Sequence, residues 1–192
     1  MFMLRKLIKK IFLRRYEPKE FWDNWAETFA SDPWQRQIHP QHKFLLSIIK
    51  KEHPRSILEI GCGFGRNINF LIGNGIAPSA ITAFDISSSM IKMARKYVKS
   101  KKVNLFISDL TDFKSNDKFD LIFTHGVLMH IPEDQVEGAA SKLFDLSKKN
   151  LILIEQNYNA DNNYTFVHDY KKLLSSREID IIEYRSDKKL GL

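Results

Sequence analysis

Residues 58–67 read LEIGCGFGRN. An apolar run over 56–60 (SILEI) breaks into glycines at 61, 63 and 65, and a helix-like stretch follows over 65–73. Glycines in such a turn let a ligand approach the backbone where any side chain would block it. Several unrelated enzyme classes hold nucleotides this way, so the turn alone does not say which cofactor it serves.

Outward from the turn the chain alternates. A helix over 41–52 leads into the strand at 56–60. After the helix at 65–73 come a strand at 80–85 (AITAFD) and a helix at 87–99, capped by Ser87 or Ser88. Strands follow at 103–107 (VNLFI) and 119–124 (FDLIFT). A helix at 132–148 opens on Pro132, Glu133 and Asp134, which suit a first turn. A strand at 150–155 (NLILIE), a helix at 167–176 and a strand at 179–184 (IDIIEY) complete the run. Strand–helix units with continuously apolar strands specify an α/β fold, a Rossmann-like, doubly wound, mostly parallel sheet covered on both faces. Ligands of such sheets bind at the carboxyl ends of the strands, where strand order reverses.

Three strand ends carry groups that could serve one ligand. The first is the glycine turn. The second is Asp85, twenty residues after Gly65 and placed to accept both hydroxyls of a ribose. The third is Asp109 in ISDL (107–110), which could accept from an adenine amino group while Leu110 packs on the ring. A dinucleotide loop needs G-x-G-x-x-G, and here the last position is Arg66.

The tighter G-x-G-x-G spacing, with Glu59 just inside the strand, resembles the first motif of the class I S-adenosylmethionine-dependent methyltransferases. ITAFDISSSM resembles their second motif, SDL their third, and FDLIFTHGVLMHIP (119–132) their fourth strand and its loop. The four occur in the family's order. The resemblance implies S-adenosyl-L-methionine as cofactor, the loop Gly61, Cys62, Gly63, Phe64 and Gly65 cradling its methionine part. Glu59 would shape that loop or receive the amino group, and Asp85 would hold the ribose. Ile86 would flank the adenine, Asp109 and Leu110 would read it, and Thr124 and His125 would face the sulfonium.

Methyl transfer to an alcohol needs a base as well as alignment. His125 and His130 lie on the loop after the fourth strand and are the candidate catalytic residues; a structural role for either stays open. Glu155, Gln156 and Asn157 at the fifth strand end, with His168, Asp169 and Tyr170 beyond, are further candidates, as are a helix cap and a solvated turn. Cys62 is read as a small loop residue. His39 and His42, spaced i, i+3 without carboxylates, do not make a metal site, and no metal is expected. The segment 124–127 (THGV) is not the Asn/Asp-Pro-Pro-aromatic run of adenine methylation in DNA, so no DNA partner is expected. The stretch after the fourth strand resembles methyltransferases found with bacterial surface-sugar biosynthesis, and a small-molecule or saccharide acceptor follows from that likeness. The alternatives are an RNA- or protein-directed methyltransferase and a non-catalytic binding domain.

Composition bounds the rest. The 192 residues are 43% hydrophobic, enough for one core, and a single cysteine excludes a disulfide framework. The net charge of +7 is uneven, since residues 1–15 carry six cations and no acid. Leu4, Leu7, Ile8 and Ile11 fall on one helical stripe there, opposite Arg5, Lys6, Lys9 and Lys10. That reads as a basic amphipathic helix suited to an anionic membrane surface. Residues 16–40, rich in aromatics, are expected to form a helical cap, and 41–192 the cofactor-binding domain. A cytoplasmic location, peripheral at the inner membrane face, is expected. The closing strand hairpin looks truncated, leaving an edge for a dimer partner or the N-terminal segment.

Overall fold

The computed structural model describes residues 16–156 and 162–175. The described residues form six α-helices and five strands, in the order α1 Pro18–Ser31, α2 Pro40–Glu52, β1 Ile57–Ile60, α3 Arg66–Gly73, β2 Ile81–Asp85, α4 Ser88–Tyr97, β3 Asn104–Ile107, β4 Phe119–His125, α5 Val136–Leu146, β5 Ser147–Ile154 and α6 Tyr170–Ser175. The order across the sheet is β3-β2-β1-β4-β5, and each of its pairings is parallel. The order reverses between β1 and β4, where Ile60 stands beside Thr124. A crevice therefore opens at those carboxyl ends.

Strand alternation sends side chains to two cores. Ile57, Ile81, Leu121 and Phe123 pack with α2, α3 and α4 through Leu45, Ile68 and Ile91. Leu58, Ile60, Phe84 and Ile122 pack with α5 and α6 through Leu143 and Tyr170. Each fully buried Ile, Leu or Phe contributes about 1.5–3 kcal/mol, so both faces are closed firmly. The same parity decides the site. Glu59 shares the face of Ile57, and His125 shares that of Phe123, towards α2 and α3.

Local chemistry fixes the helix ends. Ser87 caps α4, its Oγ accepting the Met90 amide at 3.0 Å. α2 ends on His53 in the left-handed region (φ 47°), just before Pro54. Several expected bounds shift. The segment 132–148 begins as a turn, with the Gln135 and Val136 amides both donating to the Pro132 carbonyl, and the helix starts only at Val136. β5 then follows at Ser147 with no loop. The helix expected at 167–176 is the shorter α6, and 16–40 holds one helix followed by turns. The expected strand 179–184 and the basic helix at 1–15 lie outside the described residues.

Candidate functional site: the crevice at β1 and β4

Gly61, Gly63 and Gly65 adopt φ of 65°, 53° and 88°, which side chains resist. Their reasons differ. A Cβ on Gly61 would lie 2.5 Å from Val127 Cγ2, and one on Gly65 2.6 Å from Val98 Cγ2. A Cβ on Gly63 would meet only the Phe29 ring at 3.8 Å, across the cavity that both residues line. Gly63 therefore keeps a cavity open, whereas Gly61 and Gly65 keep the turn close-packed.

The turn is tied to β2. The Cys62 amide donates to the Phe84 carbonyl at 3.0 Å, and the Gly63 amide to Asp85 Oδ2 at 2.8 Å. Asp85 Oδ1 accepts from the Ser87 amide at 2.9 Å. Each carboxylate oxygen keeps a lone pair for a ligand hydroxyl at the cavity it lines. Burial pushes the Asp85 carboxyl up to about 6, against the lowering effect of the two amides. Asp109 at the end of β3 accepts the Thr111 amide and hydroxyl on Oδ1, both at 2.7 Å, and lines the same cavity with Leu110 and Ile86.

Other expected cofactor residues stand behind this surface. Glu59 is 1% exposed, and its Oε1 accepts from Asn67 Nδ2 at 2.7 Å. Burial pushes its carboxyl up to about 8. It is buried behind the turn and does not line the cavity, so of its two expected roles the geometry fits shaping the loop. Cys62 is buried in the core on the α3 face, where burial raises its thiol well above the usual range. Phe64 packs on Phe29 and Tyr97. Thr124 is wholly buried on the opposite face from His125 and does not reach the cavity.

The loop after β4 is clamped from both sides. Glu155 accepts the Val127 and Met129 amides at 2.9 and 3.2 Å. His168 Nε2 lies 3.0 and 2.9 Å from the Leu128 and Ile131 carbonyls. Two acceptors at one nitrogen require the proton there. Glu155 and His168, candidates for chemistry from sequence, thus serve as the loop's fasteners. Asp169 caps α6 through the Lys172 amide, and the Tyr170 hydroxyl faces the Gln156 carbonyl. Asn157 lies outside the described residues.

Two histidines line the cavity, His125 at the end of β4 and His130 on this loop. His130 Nδ1 is 2.7 Å from the Tyr164 carbonyl, so its proton sits on Nδ1 and Nε2 keeps a lone pair. Trp22 packs edge-on against the ring, 4.9 Å between centroids, and burial lowers the His130 pKa. His125 has a buried Nδ1 with no partner, and burial first, then His42, draws its pKa down to about 3. Both rings are neutral near pH 7.

Helix α1 forms the roof, with Trp22 and Phe29 lining a cavity of about 180 Å³. Asp23 anchors it: Oδ1 accepts from Ser87 Oγ at 2.7 Å, the Ser89 amide at 2.9 Å and Ser88 Oγ at 3.2 Å. Burial opposes ionisation of Asp23, but these bonds outweigh it and hold its pKa low. The sequence signal for the roof was the aromatic richness of residues 16–40; nothing signalled Asp23 or the approach of His42 to His125. A larger groove of about 620 Å³ between α5 and α6 lies away from the strand ends. Among the described residues no cluster of three metal-ligating groups occurs.

Residues 57–150 match the family model of the methyltransferase domain. The malonyl-[acyl-carrier protein] O-methyltransferase of Priestia megaterium is 39% identical over 70 residues, 36% of this chain and 25% of that protein. A second protein of that name, from Ilyobacter polytropus, is 33% identical over 96 residues, 50% of this chain and 37% of that one. The chain thus spans well under half the length of these curated relatives. Among solved structures, magnesium protoporphyrin IX methyltransferase from Synechocystis PCC 6803 with bound SAH superposes with a TM-score of 0.64 at 18% identity, covering 82% of this chain and 88% of that one. The plantazolicin methyltransferase BpumL with SAH and a substrate analogue superposes with a TM-score of 0.59 at 19% identity, covering 82% and 74%. Strand order, glycine turn and family match agree, and residues 57–150 are a class I S-adenosylmethionine-dependent methyltransferase domain.

Proposed function

We propose that this chain transfers a methyl group from S-adenosyl-L-methionine to an oxygen of a small-molecule or saccharide acceptor, with His130 as the base. The donor, when bound, supplies an electrophilic methyl group on a positively charged sulfur. The cavity fits such a donor: Gly63 leaves room that a side chain would fill, and Asp85 keeps acceptor lone pairs at the second strand end. Asp109 and Leu110 stand at the third. Trp22 and Phe29 exclude water from the crevice, which favours alignment over hydrolysis. The observation that carries the base assignment is the bond from His130 Nδ1–H to the Tyr164 carbonyl, which leaves Nε2 free to accept an acceptor's proton.

A screen with labelled donor tests this, covering nucleotide-linked and lipid-linked sugars and small hydroxy compounds. Acyl-carrier-protein thioesters join it because the relatives' names include one. For an alcohol acceptor, His130→Ala should lower kcat by roughly 10²–10⁴-fold, with binding of S-adenosylhomocysteine unchanged. An undiminished kcat would remove His130 as base. It would fit an acceptor that is already an anion, such as a carboxylate.

The amphipathic pattern of residues 1–15 supports docking on an anionic membrane surface, peripheral at the inner face, and the exposed β3 edge, with Phe106 48% and Ile107 52% exposed, leaves room for a homodimer contact. No helix among the described residues is long and apolar enough to cross a membrane. Deleting 1–15 should abolish sedimentation with anionic vesicles; equal sedimentation of both forms would exclude that role.

A further inference from the structure

We propose that His42 is a positioning residue for His125: its Nε2–H donates to His125 Nδ1 and holds the remaining proton of the His125 ring on Nε2, at the cavity. The premise is a matched pair of orphans. His42 Nε2 and His125 Nδ1 are both buried polar atoms without a hydrogen-bond partner. Such atoms are uncommon in folded proteins and call for an explanation. The rings lie 4.8 Å apart between centroids at 58°, close enough for a ring nitrogen of one to face a ring nitrogen of the other.

The donor and the acceptor are set by the backbone. His42 Nδ1 faces the His39 amide at 3.0 Å and, less closely, the His39 carbonyl at 3.2 Å; the amide can only donate, so that nitrogen is bare and the ring proton sits on Nε2. α2 starts at Pro40, which places His42 on its first turn with its ring over the end of β4. Strand parity turns His125 to the same face. Burial draws both rings well below the ordinary histidine pKa, to about 4 for His42, with Arg66 adding to the effect, so neither carries a second proton near pH 7. Once His125 Nδ1 accepts, its Nε2 must be the protonated nitrogen, and Nε2 is the atom left open to the cavity that His125 lines.

The consequence rests on the function proposed above. His130 presents a bare Nε2 and His125 a protonated one, so the two histidines divide the work. His130 takes the proton, and His125 donates a hydrogen bond to a lone pair of the acceptor. His125 is then not an alternative base, and the acceptor is one that presents a hydrogen-bond-accepting oxygen beside its methylated atom.

Ring-nitrogen NMR of the full chain labelled with ¹⁵N-histidine, without ligand, tests the pair; His125→Gln identifies the His125 signals. The expected result is an unprotonated-type shift at Nδ1 and a protonated-type shift at Nε2. His42→Phe should average the two nitrogens, and His42→Gln, whose amide N–H reaches the same position, should restore the order. A wild-type proton on His125 Nδ1, or an unchanged tautomer in His42→Phe, would overturn the proposal. The wild-type spectrum decides even if His42→Phe fails to fold. Titrating S-adenosylhomocysteine into the wild-type sample separates the two readings: absent binding sinks the methyl-transfer function and leaves the tautomer result standing.

Discussion

Gly63 and Gly65 share a left-handed backbone yet guard different things. An alanine at either incurs about 1–2 kcal/mol of backbone strain. At Gly65 the new methyl also meets Val98 at 2.6 Å, so Gly65→Ala should lose roughly 3 kcal/mol of stability in denaturant titration. At Gly63 the methyl has space, so Gly63→Ala should stay folded while losing S-adenosylhomocysteine binding, measured by calorimetry. The ionisable residues add a pH signature. Glu59, raised by burial to about 8, keeps a proton that the unfolded chain releases near 4.3, so its contribution is lost as pH rises towards 8. Asp85 acts likewise up to about 6, and burial raises Glu155 in the same sense. His42 and His125 oppose them. Their rings refuse a proton that the unfolded chain takes near 6.5, so they add stability as pH rises to that point. Above pH 6.5 the acids act alone. The ligand-free protein should lose about 2 kcal/mol between pH 6.5 and 8, and Glu59→Gln should remove most of that loss. At this scale the glycines, Asp85 and Asp109 were legible because a strand end fixes where they stand. For Glu59, Cys62 and Thr124 the sequence placed the residue but not its burial, because how far a side chain sits behind the turn depends on the helices packed against it. The tautomers of His125 and His130 depend on carbonyls and rings distant in sequence.

At the scale of elements, α1 is held over the crevice by one carboxylate. Asp23 joins Ser87 at the N-terminus of α4, where negative charge also suits the helix dipole. Asp23→Ala should lower stability by about 1–2 kcal/mol. It should also raise hydrogen exchange across residues 18–31 while β1 and β4 stay protected. Unchanged exchange in α1 would show that the Trp22–Phe29 aromatic face alone holds the roof. The strands were readable to within one residue for β1 to β4, because apolar runs bounded by polar turns leave little choice. The end of α5 was not. Leu146 passes straight into Ser147 of β5, and no glycine or proline marks the change from one period to the other.

For the whole molecule, strand order β3-β2-β1-β4-β5 brings the ends of β1, β2 and β3 beneath one cavity, and the loop after β4 closes it. The parallel, doubly wound architecture was legible from the alternation of elements; the acceptor was not, because the loop after β4 and the roof helix that close the cavity come from parts of the chain distant in sequence. The central claim is that this crevice binds S-adenosylmethionine through Asp85. Calorimetric titration of the donor into the full chain and into Asp85→Ala tests it most directly. One site per chain is expected in the wild type, weakened by roughly 10- to 100-fold or more in a folded Asp85→Ala, as follows from lost hydrogen bonds to a charged group. No binding to the wild type, or equal affinity in both, would contradict it.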